Sequence, residues 1–155
     1  MVIDKKFKGL VKEDYRYVFN GNIETTESLE IDLDMGLFVT GYIKAGGSIK
    51  AGGSIKAGWS IEAGGSSGIV AGLSITCKNS LSFGLKAFAG ICSWRDITDE
   101  EKTITCGKLE GGTVEYGILR GTGSAGQAEK YREKYQRILR EKVQITSIKK
   151  SRKNK

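Results

Sequence analysis

Residues 43–65 read IKAGGSIKAGGSIKAGWSIEAGG, and the fold follows from how they are spaced. The stretch is four near-copies of one hexapeptide (Ile, a charged residue, Ala, Gly, Gly or Trp, Ser) beginning at Ile43, Ile49, Ile55 and Ile61. On a strand successive side chains alternate faces, so the Ile and Ala of each copy share one side and the Lys or Glu between them takes the other. A helix fails, because about 100° per residue would turn the repeated Ile by about 240° from copy to copy. One long strand fails too, since Gly-Gly-Ser interrupts each copy. A short strand, a corner and another short strand satisfy the pattern, with positive φ predicted for the corner glycines. Three such sides close a triangular coil of about 18 residues, and stacked coils bury a column of Ile and Ala. The predicted fold class is an all-β solenoid, a triangular β-helix, followed by a C-terminal amphipathic α-helix.

An 18-residue coil places Ile61 over Ile43 and Glu62 over Lys44. A two-residue slip at residues 66–68 then brings Ile69 over Ile49, Ile75 over Ile55, Cys77 over Ala57, Leu81 over Ile61 and Phe83 over Ala63. Backwards, the same count predicts Leu37 under Ile55, Val39 under Ala57, Ile31 under Ile49 and Leu33 under Ala51. The solenoid is expected to span residues 31–120, with a protruding acidic loop near residues 95–102. Its final coil should carry Ile104, Cys106, Val114 and Tyr116 inward. Residues 1–30, with Tyr15, Tyr17 and Phe19 alternating, are expected to supply an N-terminal cap and first coil, because an open solenoid end exposes strand edges.

At Ser124 the pattern changes. Ser124 and Gln127 have the spacing of a capping box, and Ala128, Tyr131, Tyr135, Ile138 and Leu139 fall on one face of a helix predicted over residues 124–143. That face needs an apolar surface, at the end of the solenoid or on another copy. Residues 149–155 read as a disordered basic tail. Of the net charge of +7, all the excess lies in the last 35 residues, which hold 11 basic and 3 acidic side chains. Lys130, Arg137, Arg140, Lys149, Lys150, Arg152 and Lys153 are therefore the candidates for contact with nucleic acid or an acidic partner, the competing reading being a tail that only solubilises. No secretory apolar region opens the sequence and no run is long enough to span a bilayer, so the expected location is cytoplasmic, with no membrane partner.

Catalytic readings find little support. The chain has no His, which removes His-based general bases and Ser-His-Asp or Cys-His arrangements. The three cysteines are widely spaced and Cys77 takes an inward slot, so a buried thiol is expected and no metal or cofactor. The glycines lack the GxxxxGK[ST] pattern of a phosphate loop. Trp59 replaces Gly at a corner, where an indole either covers the neighbouring corner at Asn79 or projects toward solvent as an anchor. With Tyr42, Lys50 and Lys56 it forms the candidate partner-binding set.

The segments SIKAGGSIKAGWSIEAGG, AGLSITCK, FAGICSWRDI and TCGKLEGGTVEYG resemble a group of small repeat proteins of bacterial, phage and plasmid genomes. The resemblance implies a β-solenoid and carries no established activity. In architecture the chain is also similar to the bactofilins, cytoskeletal solenoids that polymerise end to end, but those end in disordered tails where this chain continues into an amphipathic helix. A left-handed triangular solenoid is also the scaffold of hexapeptide-repeat acyltransferases, whose catalytic His is missing here. The expectation is a non-catalytic binding protein, monomeric or homodimeric. A mobile-element inhibitor of a host defence complex, acting sterically in the anti-CRISPR manner, is the first version; a bactofilin-like structural polymer is the alternative.

Overall fold

A computed structural model describes residues 1–121, which form a parallel β-solenoid of three sheets. The helix expected over residues 124–143, the tail and the basic residues Lys130, Arg137, Arg140, Lys149, Lys150, Arg152 and Lys153 lie outside the described residues. Each sheet collects one side of every coil and is named here for a lysine of the repeat. The Lys50 face comprises Val2–Ile3, Leu29–Ile31, Ile49–Ala51, Ile69–Ala71, Lys86–Ala89 and Thr113–Tyr116. The Lys56 face runs through Leu10–Lys12, Arg16–Phe19, Gly36–Val39, Ile55–Ala57, Ile75–Cys77, Thr103–Cys106 and Ile118–Gly121. The Lys44 face holds Ile23–Thr25, Ile43–Ala45, Ile61–Glu62, Ser80–Ser82 and Lys108–Glu110.

Registers agree with the repeat. Ile61 pairs with Ile43 and Glu62 with Lys44, Ile69 with Ile49, Cys77 with Ala57, and Leu81 with Ile61. Leu37 and Val39 lie beside Ile55 and Ala57. The inward Ile and Ala are all buried, with Ile43, Ile49, Ile55, Ile61, Ile69 and Ile75 at 0% exposure. Each such Ile contributes roughly 1.5–3 kcal/mol by leaving water.

Below Ile49 the expected register is corrected. Leu29, not Ile31, lies under Ile49, and Ile31 lies under Ala51. The side from Leu29 to Leu37 is two residues longer than the hexapeptide, like that from Ile61 to Ile69, and Leu33 is tucked inside it. A shift of two preserves strand parity, so inward residues stay inward.

The corner glycines also differ from expectation: none of those in residues 43–65 has positive φ. Their requirement is space. A Cβ on Gly58 would collide with the carbonyl oxygen of Thr40, one coil below, and a Cβ on Gly72 with that of Gly52. Close stacking is enforced by the corner hydrogen bonds, such as Gly58 N–H to Val39 O at 2.8 Å. Crowding varies from corner to corner: a Cβ on Gly47 would press on Ser28 and one on Gly53 on the Met35 backbone at 3.2 Å, whereas at Gly65 an added Cβ meets nothing within 4 Å.

Both ends depart from the repeat. Ile104, Leu109, Val114 and Leu119 pair with Ile75, Leu81, Ala87 and Ile104 in turn, so the last coil has five-residue sides. Here the turns do use positive φ, at Gly111, Gly112 and Gly117. Val114 lies over Ala87 but Tyr116 lies over Phe88, which leaves Glu115 as the extra residue of a bulge and turns Tyr116 outward, against expectation. At the other end Leu10–Lys12 runs antiparallel to Arg16–Phe19. Tyr17, buried, donates its hydroxyl to Asp34 Oδ1 at 2.8 Å, and Lys5 reaches the same carboxylate at 3.2 Å. These two partners hold the Asp34 carboxyl below its usual range.

Cys77 and Cys106 are buried, as the inward slot predicts. Burial pushes the Cys77 thiol up to about 12, with the neighbouring Cys106 adding to the effect. Among the described residues no helix is long and apolar enough to cross a membrane.

The stacking account separates two corner glycines at opposite extremes of crowding. Gly58→Ala should lose about 2 kcal/mol in urea unfolding, the scale of overpacking against fixed backbone. Gly65→Ala should be neutral or gain about 0.5 kcal/mol from its stiffer unfolded chain. Equal effects at both positions would refute the account.

Candidate functional site

The corner between the Lys56 and Lys44 faces is built from the same backbone ladder on every coil. Gly41 N–H donates to Gly21 O at 2.8 Å, Trp59 N–H to Gly41 O at 3.1 Å, Asn79 N–H to Trp59 O at 2.8 Å and Lys108 N–H to Asn79 O at 2.8 Å. Trp59 is thus fixed by its main chain from below and above, while its side chain stays 58% exposed. Tyr42 sits on the adjacent coil of this corner. Its N–H donates to Asn22 Oδ1 at 2.9 Å and its hydroxyl to Glu24 Oε2 at 3.0 Å. That carboxylate raises the Tyr42 phenol above its ordinary range. Above Trp59 the corner brings Lys78, beside Asn79, and Lys108, both exposed. The Lys108 ammonium is paired with Glu110 at 3.5 Å. An exposed indole on a corner whose neighbouring coils carry a phenol and ammonium groups suits a partner surface that carries carboxylates or phosphates beside apolar atoms.

Lys56 leads into this corner on its own face. Its ammonium lies 5.2 Å from the centroid of the Phe38 ring, and the Arg16 guanidinium lies 4.6 Å from the same centroid. Register explains the meeting: Phe38 pairs with Lys56 on one side and Val18 on the other, and Arg16 begins the Val18 strand. Such contacts contribute about 0.5–1 kcal/mol each at exposed sites. Arg16 is also held by Glu13 at 3.0 Å.

The predicted set is therefore divided. Tyr42 and Trp59 share a corner and Lys56 adjoins it, whereas Lys50 faces outward on another sheet, between Glu30 and Val70. Six residues of sequence turn the chain through one corner, so neighbouring repeat lysines necessarily point in different directions. Phe38, Arg16, Lys78 and Lys108 were not singled out in the sequence. The signal for Phe38 was present: an aromatic between inward Leu37 and Val39 must face out.

A second exposed feature was also missed. On the Lys50 face Val70, Phe88 and Tyr116 pair in turn, and all three point outward. After Lys86–Ala89, a loop over residues 90–99 carries Trp94, 65% exposed, into the 3-10 turn Glu100–Lys102. Arg95 clamps this loop with two bonds to Glu101, at 2.8 and 3.0 Å, and Thr98 N–H donates to the same carboxylate at 2.9 Å. Together they draw the Glu101 carboxyl down to about 2. Leu85, Phe88, Ile91 and Trp94 stand out as bulky in the sequence, but strand parity past Phe83 was not assigned.

Among the described residues no group of three or more His, Cys, Asp or Glu side chains is placed to hold a metal ion. No protein-family model, curated protein or solved structure matches the chain.

The Glu101 clamp sets a pH response. Because its carboxyl is below the usual 4.5 in the fold, the clamp is complete above about 4.5 and is lost as pH falls toward about 2. In a Trp59→Phe background, Trp94 fluorescence should change across that window. Glu101→Gln should abolish the transition; an unchanged transition would remove the clamp from the explanation.

Proposed function

We propose that this chain is a non-catalytic binding protein, whose solenoid is a rigid support for the Trp59 corner. The observation that carries the reading is a large indole, 58% exposed, on a backbone hydrogen-bonded to the coils on either side. A side chain displayed on ordered backbone loses little further freedom on docking, and exposed Trp residues are frequent anchors of protein interfaces. The interior is committed to packing, since the axial Ile side chains have no exposure. Chemistry directed at a partner thus belongs to the outer corners and faces. Lys78 and Lys108 on the coils of this corner, and Lys56 on the face that leads into it, favour an acidic partner surface, with inhibition by steric occlusion as the mechanism. The resemblance to repeat proteins of phage and plasmid genomes makes a host defence complex the first partner to assay.

One observation favours this reading over a head-to-tail polymer. Polymerisation by continued stacking requires terminal strands that accept a parallel neighbour, and on the Lys56 face the first strand, Leu10–Lys12, is antiparallel. Lys5, Lys6 and Lys8, exposed between the first two strands, add charge of the kind that blunts sheet edges.

The test compares capture of partners from host lysate by the parent chain and by Trp59→Ala, with nuclease treatment to separate protein from nucleic-acid contacts. Loss of a central Trp anchor should weaken capture by about 30-fold or more, whereas Thr105→Ala, on an outward position of the Lys56 face, should leave it unchanged. Retained affinity in the Trp59 variant would remove the corner from the interface. Filaments in light scattering at rising concentration would favour the polymer instead.

A further inference from the structure

The outward positions of the Lys50 face run in register, one per coil, as Val2, Glu30, Lys50, Val70, Phe88 and Tyr116. The inner part of this row is charged and the C-terminal half is apolar and aromatic. Leu85, 59% exposed, and Ile91, also exposed, extend the apolar half at the two ends of the Phe88 strand. The Lys44 face has no such run: its outward row is Glu24, Lys44, Glu62, Ser82 and Glu110. Contiguous apolar surface of this kind marks a contact site.

We infer that the Lys50 face pairs with the same face of a second copy, the two solenoids running antiparallel about a two-fold axis. The order of charges selects this arrangement. Laid parallel, the rows would set Glu30 against Glu30 and Lys50 against Lys50. Turned antiparallel about the midpoint of Val70 and Phe88, they set Val70 against Phe88 of the second copy, and Lys50 against the coil that carries Glu115 and Tyr116. Among the described residues no carboxylate lies within ion-pair distance of Lys50. Glu115 is held only at 3.7 Å, by Lys86. A positive charge and a negative one thus meet at each end of an apolar centre, in the self-complementary manner of a two-fold interface. In this arrangement the four strands from Lys50 to Tyr116 overlap, and at about 4.8 Å per strand they give a contact about 14 Å long. Its width of about 13 Å leaves it below the standard interface of about 800 Å² per partner even with the Trp94 loop added. The dimer is accordingly a weak one, forming in the micromolar range or above. It uses a different surface from the Trp59 corner.

Sedimentation velocity of the full chain, from micromolar to millimolar concentration, tests the inference. A reversible monomer–dimer equilibrium is expected, with Trp59→Ala behaving as the parent. Phe88→Glu should remain monomeric throughout, with unchanged circular dichroism because the side chain is outward; Val70→Lys is a second variant with the same expected outcome. Lys50→Glu should weaken the dimer about tenfold, since a two-fold interface holds each pair twice. Adding Glu115→Lys to Lys50→Glu should restore it. A parent chain monomeric at the highest concentration, a dimer indifferent to Phe88→Glu and Val70→Lys, or a double charge reversal without recovery would each overturn the inference.

Discussion

Parallel stacking at about 4.8 Å per coil is the constraint from which the other features follow. Every atom of one coil must fit beneath the equivalent atom of the next. Inside, the fit is met by Ile over Ile and Ala over Ala, as in Ile49 and Ile69 or Ala51 and Ala71. At the corners it is met by glycine, because the carbonyl below occupies the space of a Cβ, as Thr40 does under Gly58. The repeat's composition is thus a packing requirement repeated once per coil, and the usual destabilising effect of glycine is offset by the backbone approach it permits.

Because the constraint consumes the inward positions and most corner glycines, it leaves the outward positions and a few corner sites, that of Trp59 among them, chemically free. The three faces use that freedom differently. Glu24, Lys44 and Glu62 alternate on one. Phe38 lies between two cations on another. The third divides into a charged part and an apolar part. Trp59 occupies a freed corner position, so the most exposed aromatic of the repeat stands on some of its most regular backbone. The proposed roles in binding and self-association both draw on side chains that the fold itself does not need.

Where the rule breaks, the breaks are structural devices. Five-residue sides close the last described coil tightly and bring in positive-φ glycines that the longer sides do not require. The Glu115 bulge turns Tyr116 outward and lengthens the aromatic row by one coil. An antiparallel strand ends the parallel stack at the N-terminal side of the Lys56 face. The Trp94 loop, inserted between two faces, is ordered by the Arg95–Glu101 clamp, since it lies outside the ladder that orders everything else.

The period, the inward residues and most pairings from Leu37 to Leu81 were determined by the sequence alone, because alternation on a strand and a six-residue repeat are local properties that leave one arrangement. Even the misplacement of Ile31 left inward and outward assignments intact, since the slip was an even number of residues. Only the tertiary structure decided what depends on the coil below: that corner glycines serve close approach and not positive φ, that Arg16 reaches Phe38, and that Tyr116 faces out. Each brings together residues on different coils or different sides of one coil, and a one-dimensional pattern does not record the turn between them.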